Sequence, residues 1–122
     1  MTSPAPAIPA LISFGAPLGK GETYRPPADR ILGGDPVQTA WNLFASADGR
    51  FNSGIWECQP GKWRVVFSES EFCQILEGEL VVTGDDGSVA TYRAGDAFVS
   101  PAGFTGTWEV TKAARKHYAF YE

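Results

Sequence analysis

Glu71 is the residue best placed to do chemistry in this chain. It sits in SESEFCQIL, where Phe72, Ile75 and Leu76 surround a carboxylate with apolar side chains. Burial of that kind raises a carboxyl pKa and suits the group to general acid or base work. The plainer role is a charge pair or a set of backbone hydrogen bonds. Either role needs a partner, because a buried unpaired carboxylate is strongly disfavoured. The candidates lie in Arg115-Lys116-His117-Tyr118. Side chains alternate along a strand, so Lys116 and Tyr118 share one face and Arg115 and His117 the other. The sequence leaves open which face points inward, so Lys116, His117 and Tyr118 all stand as groups that could orient a substrate beside Glu71. His117 is the only histidine. A transition-metal site needs three or four converging N, O or S donors, so no metal is expected, and Glu71 would be the ligand if one were held. Cys73 shares the face of Glu71. A neighbouring carboxylate opposes thiolate formation, so Cys73 reads as packing rather than as a nucleophile.

These residues must be positioned by strands. Pro60-Gly61 makes a tight turn, Trp63, Val65 and Phe67 alternate along a strand, Ser68 to Ser70 turn the chain, and Glu71 to Leu76 return, closed by Glu77-Gly78. Trp63, Val65 and Phe67 share a face, as do Gly106, Trp108 and Val110. Together they predict an apolar, aromatic pocket wall, and Trp63, Val65, Phe67, Cys73, Gly106 and Trp108 are the expected pocket-lining residues. Further short strands are predicted at Trp41–Ala47, Phe51–Cys58, Glu79–Thr83, Ser88–Tyr92, Ala97–Ser100, Phe104–Thr111 and Arg115–Tyr121. Gly84-Asp85-Asp86-Gly87 forms a hairpin turn among them. It lacks the helix and the Lys-Ser/Thr of a phosphate loop. Short strands at this spacing argue an all-β sandwich or barrel.

Gly61, Glu71 and Gly78 resemble the first motif of the cupin superfamily, a glycine, two metal-binding histidines, a glutamate and a second glycine. Gly95-Asp96, Pro101 and Gly103 resemble the second motif. The motif histidines would fall on Val65, Phe67 and Gly106, so only Glu71 remains of the metal ligands that the resemblance implies. GIWECQPGKW, EFCQILEGEL, GDAFVSPAGFTGTWEV and RKHY are similar to the small bacterial DUF861-type cupins. Those are related to the cupin parts of (S)-ureidoglycine aminohydrolase and of the ethanolamine-utilisation protein Q. The resemblance implies a jelly-roll β-barrel, a homodimer, and a nitrogen-rich or carboxylate metabolite as ligand.

The chain has 122 residues, of which 43% are hydrophobic, enough for one domain with its own core. Residues 1–36, rich in proline and glycine, are expected to form an extended N-terminal arm, and residues 37–122 the cupin domain, with Gly33-Gly34-Asp35-Pro36 as the boundary. Apolar residues of the arm predict that it lies across the barrel or a neighbouring subunit. A net charge of −4 argues against a nucleic-acid partner. No apolar run is long enough to span a bilayer, and the first residues make a poor signal peptide. Cytoplasmic residence follows as the expectation, with Cys58 and Cys73 as buried thiols. The expected function is to bind a small polar metabolite without a metal or other cofactor; an enzyme of this kind would use Glu71 for proton transfer, isomerisation or hydrolysis. The alternatives are a metal-dependent ureidoglycine aminohydrolase-like enzyme with non-standard ligands and a non-catalytic structural or partner-binding cupin.

Overall fold

The computed structural model describes residues 7–15 and 17–122. Among them are nine strands and a single 3-10 turn, Ala28–Arg30. The strands are β1 (Glu22–Tyr24), β2 (Ile31–Gly34), β3 (Gln38–Ala45), β4 (Phe51–Cys58), β5 (Gly61–Val66), β6 (Ser70–Gly84), β7 (Val89–Arg93), β8 (Ala97–Ser100) and β9 (Thr105–Tyr121). All recorded pairings are antiparallel, and the chain is the all-β, jelly-roll type of fold that the sequence predicts. No helix among the described residues is long and apolar enough to cross a membrane.

Two long strands organise the rest. The first half of β6 pairs with the second half of β9 and with β8, while its second half pairs with the first half of β9 and with β7. On its other edge β9 pairs first with β5 and then with β4. The sheet therefore curls into two layers that share β6 and β9. The strands on either side of Ser68 to Ser70 do not form the hairpin that the sequence predicts: β5 pairs with β2 and β9, and β6 with β7, β8 and β9, so the turn carries the chain between layers. Trp56 from β4 meets Trp63 from β5 across the interior, with ring centroids 6.4 Å apart.

The predicted strand ends at Glu77-Gly78 and between Thr111 and Arg115 are not breaks. Both strands run straight through, and the bend is taken up by register shifts between Ile75 and Leu80. Gly78 makes this possible, with φ of 83° and an α-carbon so close to β9 that an added Cβ would lie 2.2 Å from the Ala113 carbonyl oxygen. Gly78→Ala is expected to lose more than the ~1–3 kcal/mol that a left-handed backbone alone costs a non-glycine residue. Gly87→Ala isolates the backbone part, since Gly87 has φ of 88° and open space around it. Equal urea midpoints for the two variants would refute the close-approach explanation.

The segment assigned to the arm is more structured than its proline content suggests. Its residues 1–6 and Ala16 lie outside the described residues. Phe14 packs edge-on against His117, and Trp41 donates its indole N–H to the Gly19 carbonyl at 3.1 Å. β1 and β2 then pair with β3 and β5 at the two ends of the strand order. Prolines 26, 27 and 36 bracket these strands, which fits their edge positions, because an edge strand needs only one row of backbone donors.

Candidate functional site

The interior alternation of each strand builds an open cup between the layers. From β9 come Trp108, Lys116 and Tyr118, from β4 Trp56, and from β5 Trp63 and Val65. The chain leaving β5 adds Phe67 and Glu69, and β6 adds Glu71. The rim includes Glu22 and Tyr24 of β1 and Gln38, Ala40 and Asn42 of β3. The cavity measures about 440 Å³.

At its floor lies an ion pair. Lys116 Nζ is 2.5 Å from Glu71 Oε2, with side-chain exposures of 3% and 12%. In the β6/β9 register Ile75 faces Lys116, Cys73 faces Tyr118 and Glu71 faces Phe120. The long lysine side chain therefore leans diagonally past Cys73 to reach the carboxylate, as diagonal neighbours on one sheet face do. On the way Nζ passes 3.3 Å from Cys73 Sγ, and that thiol donates to Glu71 Oε2 at 2.9 Å. Both contacts use Oε2, so Oε1 has no protein donor among the described residues.

Aromatic rings complete the shell around the ammonium. Nζ lies 4.5 Å from the Trp56 ring centroid and 4.4 Å from that of Trp108. Each face offers cation–π attraction, stronger where water is excluded. Trp56, Trp63 and Trp108 are all in mutual contact, and the Trp56 indole N–H donates to Gln38 Oε1 at 2.7 Å. Burial acts most strongly on Lys116 and favours the neutral amine. The opposing attraction of Glu71, with Cys73, outweighs it and holds the pKa above the ordinary lysine value. Cys73 is pushed up to about 12, chiefly by burial, so it is a thiol and not a nucleophile. Tyr118 is likewise pushed up to about 12 by burial, and its hydroxyl donates to Asn42 Oδ1 at 2.8 Å.

The placement of the predicted site residues is now explicit. Glu71, Lys116 and Tyr118 converge, and Trp63, Val65, Phe67 and Trp108 line the cup. His117 does not join them. It lies on the opposite face of β9, against Phe14, and is withdrawn as an orienting group. Cys73 is fully buried beneath the cup rather than in its lining. Gly106 does not line it either. It lies between β5 and β6, where an added Cβ would be 2.0 Å from the Thr83 carbonyl oxygen. Trp56, Glu69, Asn42 and the rim from β1 were not anticipated. The pattern Gly54-Trp56-Cys58, alternating on one face of β4, was the available signal for Trp56. The β1 contribution had none, because nothing local reports which sheet edge a short strand joins.

The donor set does not fit the transition metal of the cupin resemblance. The cation facing Glu71 is an ammonium, Val65 and Phe67 supply no ligand atom, and backbone closes the space an imidazole at position 106 would need. Among the described residues no three His, Cys, Asp or Glu side chains are grouped to hold a metal ion.

Comparison with known proteins agrees with this architecture. A family model described as the EutQ-like cupin domain matches residues 45–118. No curated protein matches the chain. Among solved structures, a DUF861-family protein of unknown function from Pseudomonas syringae pv. tomato is similar, with a TM-score of 0.77 and 24% identity. That match covers 84% of this chain and 45% of the other, so this chain spans under half of its length. The EutQ protein of Clostridium difficile superimposes with a TM-score of 0.63 at 22% identity, over 70% of this chain and 63% of that one. A DUF861-family protein from Thermotoga maritima is 36% identical over 52% of this chain and 73% of its own, with a TM-score of 0.51.

Proposed function

The chain belongs to the EutQ-like cupin domain family, and from that premise we propose that it binds a small polar metabolite in the cup without a transition metal. The observation that carries this reading is the cavity itself. About 440 Å³ suits a small organic molecule, and the aromatic wall with a few convergent polar groups is the usual composition of a ligand site. The wall supplies contact area, while Glu71 Oε1, Asn42 and the Tyr118 hydroxyl supply direction. Lys116 takes the place of a bound cation. It balances the charge of Glu71 and fixes the orientation of its carboxylate, so that the second oxygen faces the ligand. If the cup is catalytic, Glu71 is the group that would move a proton.

A thermal-shift screen of small polar metabolites, run in parallel on the protein and on Ala40→Phe, tests the proposal. Ala40 lines the cup two strands from Lys116, with Trp56 between them, so a phenyl ring there is expected to obstruct the cup while leaving the buried charges paired. Stabilising ligands are expected for the unaltered protein and should lose their effect in the variant. A screen without hits, or hits that persist unchanged in Ala40→Phe, would remove the cup as the binding site.

A further inference from the structure

We infer that the ligand of this cup carries an organic ammonium group, a small amine or quaternary ammonium compound, an assignment that rests on the cup being a ligand site. The charge balance comes first. Among the described residues Glu22, Glu69 and Glu71 face the cavity together with a single cation, Lys116, so their lining is net negative. Neither Glu22 nor Glu69 makes an ion pair among the described residues. Burial, with the charges of Glu122 and Glu71, holds the Glu69 carboxyl above its ordinary range, so a cation beside it would relieve an existing penalty.

The wall points the same way. Trp56 and Trp108 already hold an ammonium over their ring faces at 4.5 and 4.4 Å, which demonstrates the chemistry that this shell accommodates. Further aromatic rings, Tyr24, Phe67, Tyr118 and Phe120, continue the lining outward, and aromatic cages of this kind are how quaternary ammonium groups are recognised. Glu71 Oε1 adds an accessible acceptor for an N–H donor. An anionic ligand finds the opposite. Among the described residues the one cationic group of the lining is 3% exposed and already engaged by Glu71, Cys73 and two rings, and no arginine or second lysine lines the cavity.

Choline, its uncharged carbon isostere tert-butylethanol and the anion tert-butylacetate separate shape from charge. Each is titrated into the protein by calorimetry and by tryptophan fluorescence, since three of the four tryptophans lie in the cup. Ethanolamine and propylamine extend the series to primary ammonium groups. We expect a cation to bind about tenfold tighter than the alcohol, with the carboxylate weakest. Glu22→Gln with Glu69→Gln should weaken the cation several-fold and leave the alcohol unchanged, while the melting temperature should not fall, because neither residue is ion-paired among the described residues and the charge of Glu69 is already penalised. Binding of the alcohol or carboxylate at least as tight as that of every cation overturns the ammonium assignment while the cup remains a ligand site. No binding by any member, together with a metabolite screen without hits, overturns the cup as a site and the assignment with it.

Discussion

Lys116→Met is expected to destabilise the protein by about 3–5 kcal/mol, the usual consequence of removing one partner from a buried ion pair. Glu71 would be left beside Phe120 and Cys73 without a counter-charge, with a side chain only 12% exposed. A methionine of similar length and apolar character fills the same channel past Cys73, so the loss reports charge and not a cavity. The double variant Glu71→Gln with Lys116→Met removes both charges and should recover most of that loss, because well-packed neutral replacements of a buried pair are often close to neutral. Glu71→Gln alone leaves the ammonium, the more deeply buried of the two groups, without its carboxylate and is expected to cost a comparable amount. Urea denaturation of the four proteins closes a double-mutant cycle. If Lys116→Met lies within about 1 kcal/mol of the unaltered protein, the pair is not the keystone of the cup floor. A large coupling energy would establish that the ammonium holds Glu71 in place.

The other large effect is a loss of stability in alkali. Burial pushes Cys58 and Cys73 up to about 12, against an ordinary value of 9.0. Within that window the folded chain keeps two protons that the unfolded chain releases, so unfolding is favoured more strongly as pH rises. Each thiol contributes a slope approaching 1.4 kcal/mol per pH unit, and Tyr118, pushed up to about 12 from 10.0, adds in the same direction higher in the range. Lys116, raised by Glu71, acts with them. Its contribution is complete below the ordinary 10.5 and is lost as pH rises through the folded value. Together the two thiols imply a loss of about 2–3 kcal/mol between roughly pH 8 and pH 10. Cys58→Ala with Cys73→Ala should flatten this slope, although its stability near neutral pH will be lower through lost packing. An unchanged slope in the double variant would show that the thiols are not protected by the fold.

The extent to which the site was legible follows from the periodicity of strands. Alternation placed Glu71 with Cys73, Trp63 with Val65 and Phe67, and Lys116 with Tyr118, and each set is found together on one side. A period of two sorts residues into faces without saying which face is inward. The orientation of β9 follows from its register with β4 and β6, where Trp56 and Ile75 both stand opposite Lys116. That register put the lysine in the cup and the histidine outside it. The continuity of β6 and β9 was hidden for a related reason. Gly78 carries turn-like chemistry, and whether such a residue ends a strand or bends it depends on the neighbour pressing against it.

By itself the sequence determined the fold class, the family resemblance and the poverty of metal ligands, because all of these are written in local patterns of turns, alternation and residue type. Tertiary structure alone decided that Lys116 supplies the counter-charge to Glu71, that backbone closes the space at Gly106, and that Glu22 and Tyr24 reach the rim. These are contacts between residues on different strands, well apart in the chain, and contact of that kind depends on strand register and on the curl of the sheet, neither of which any local stretch encodes.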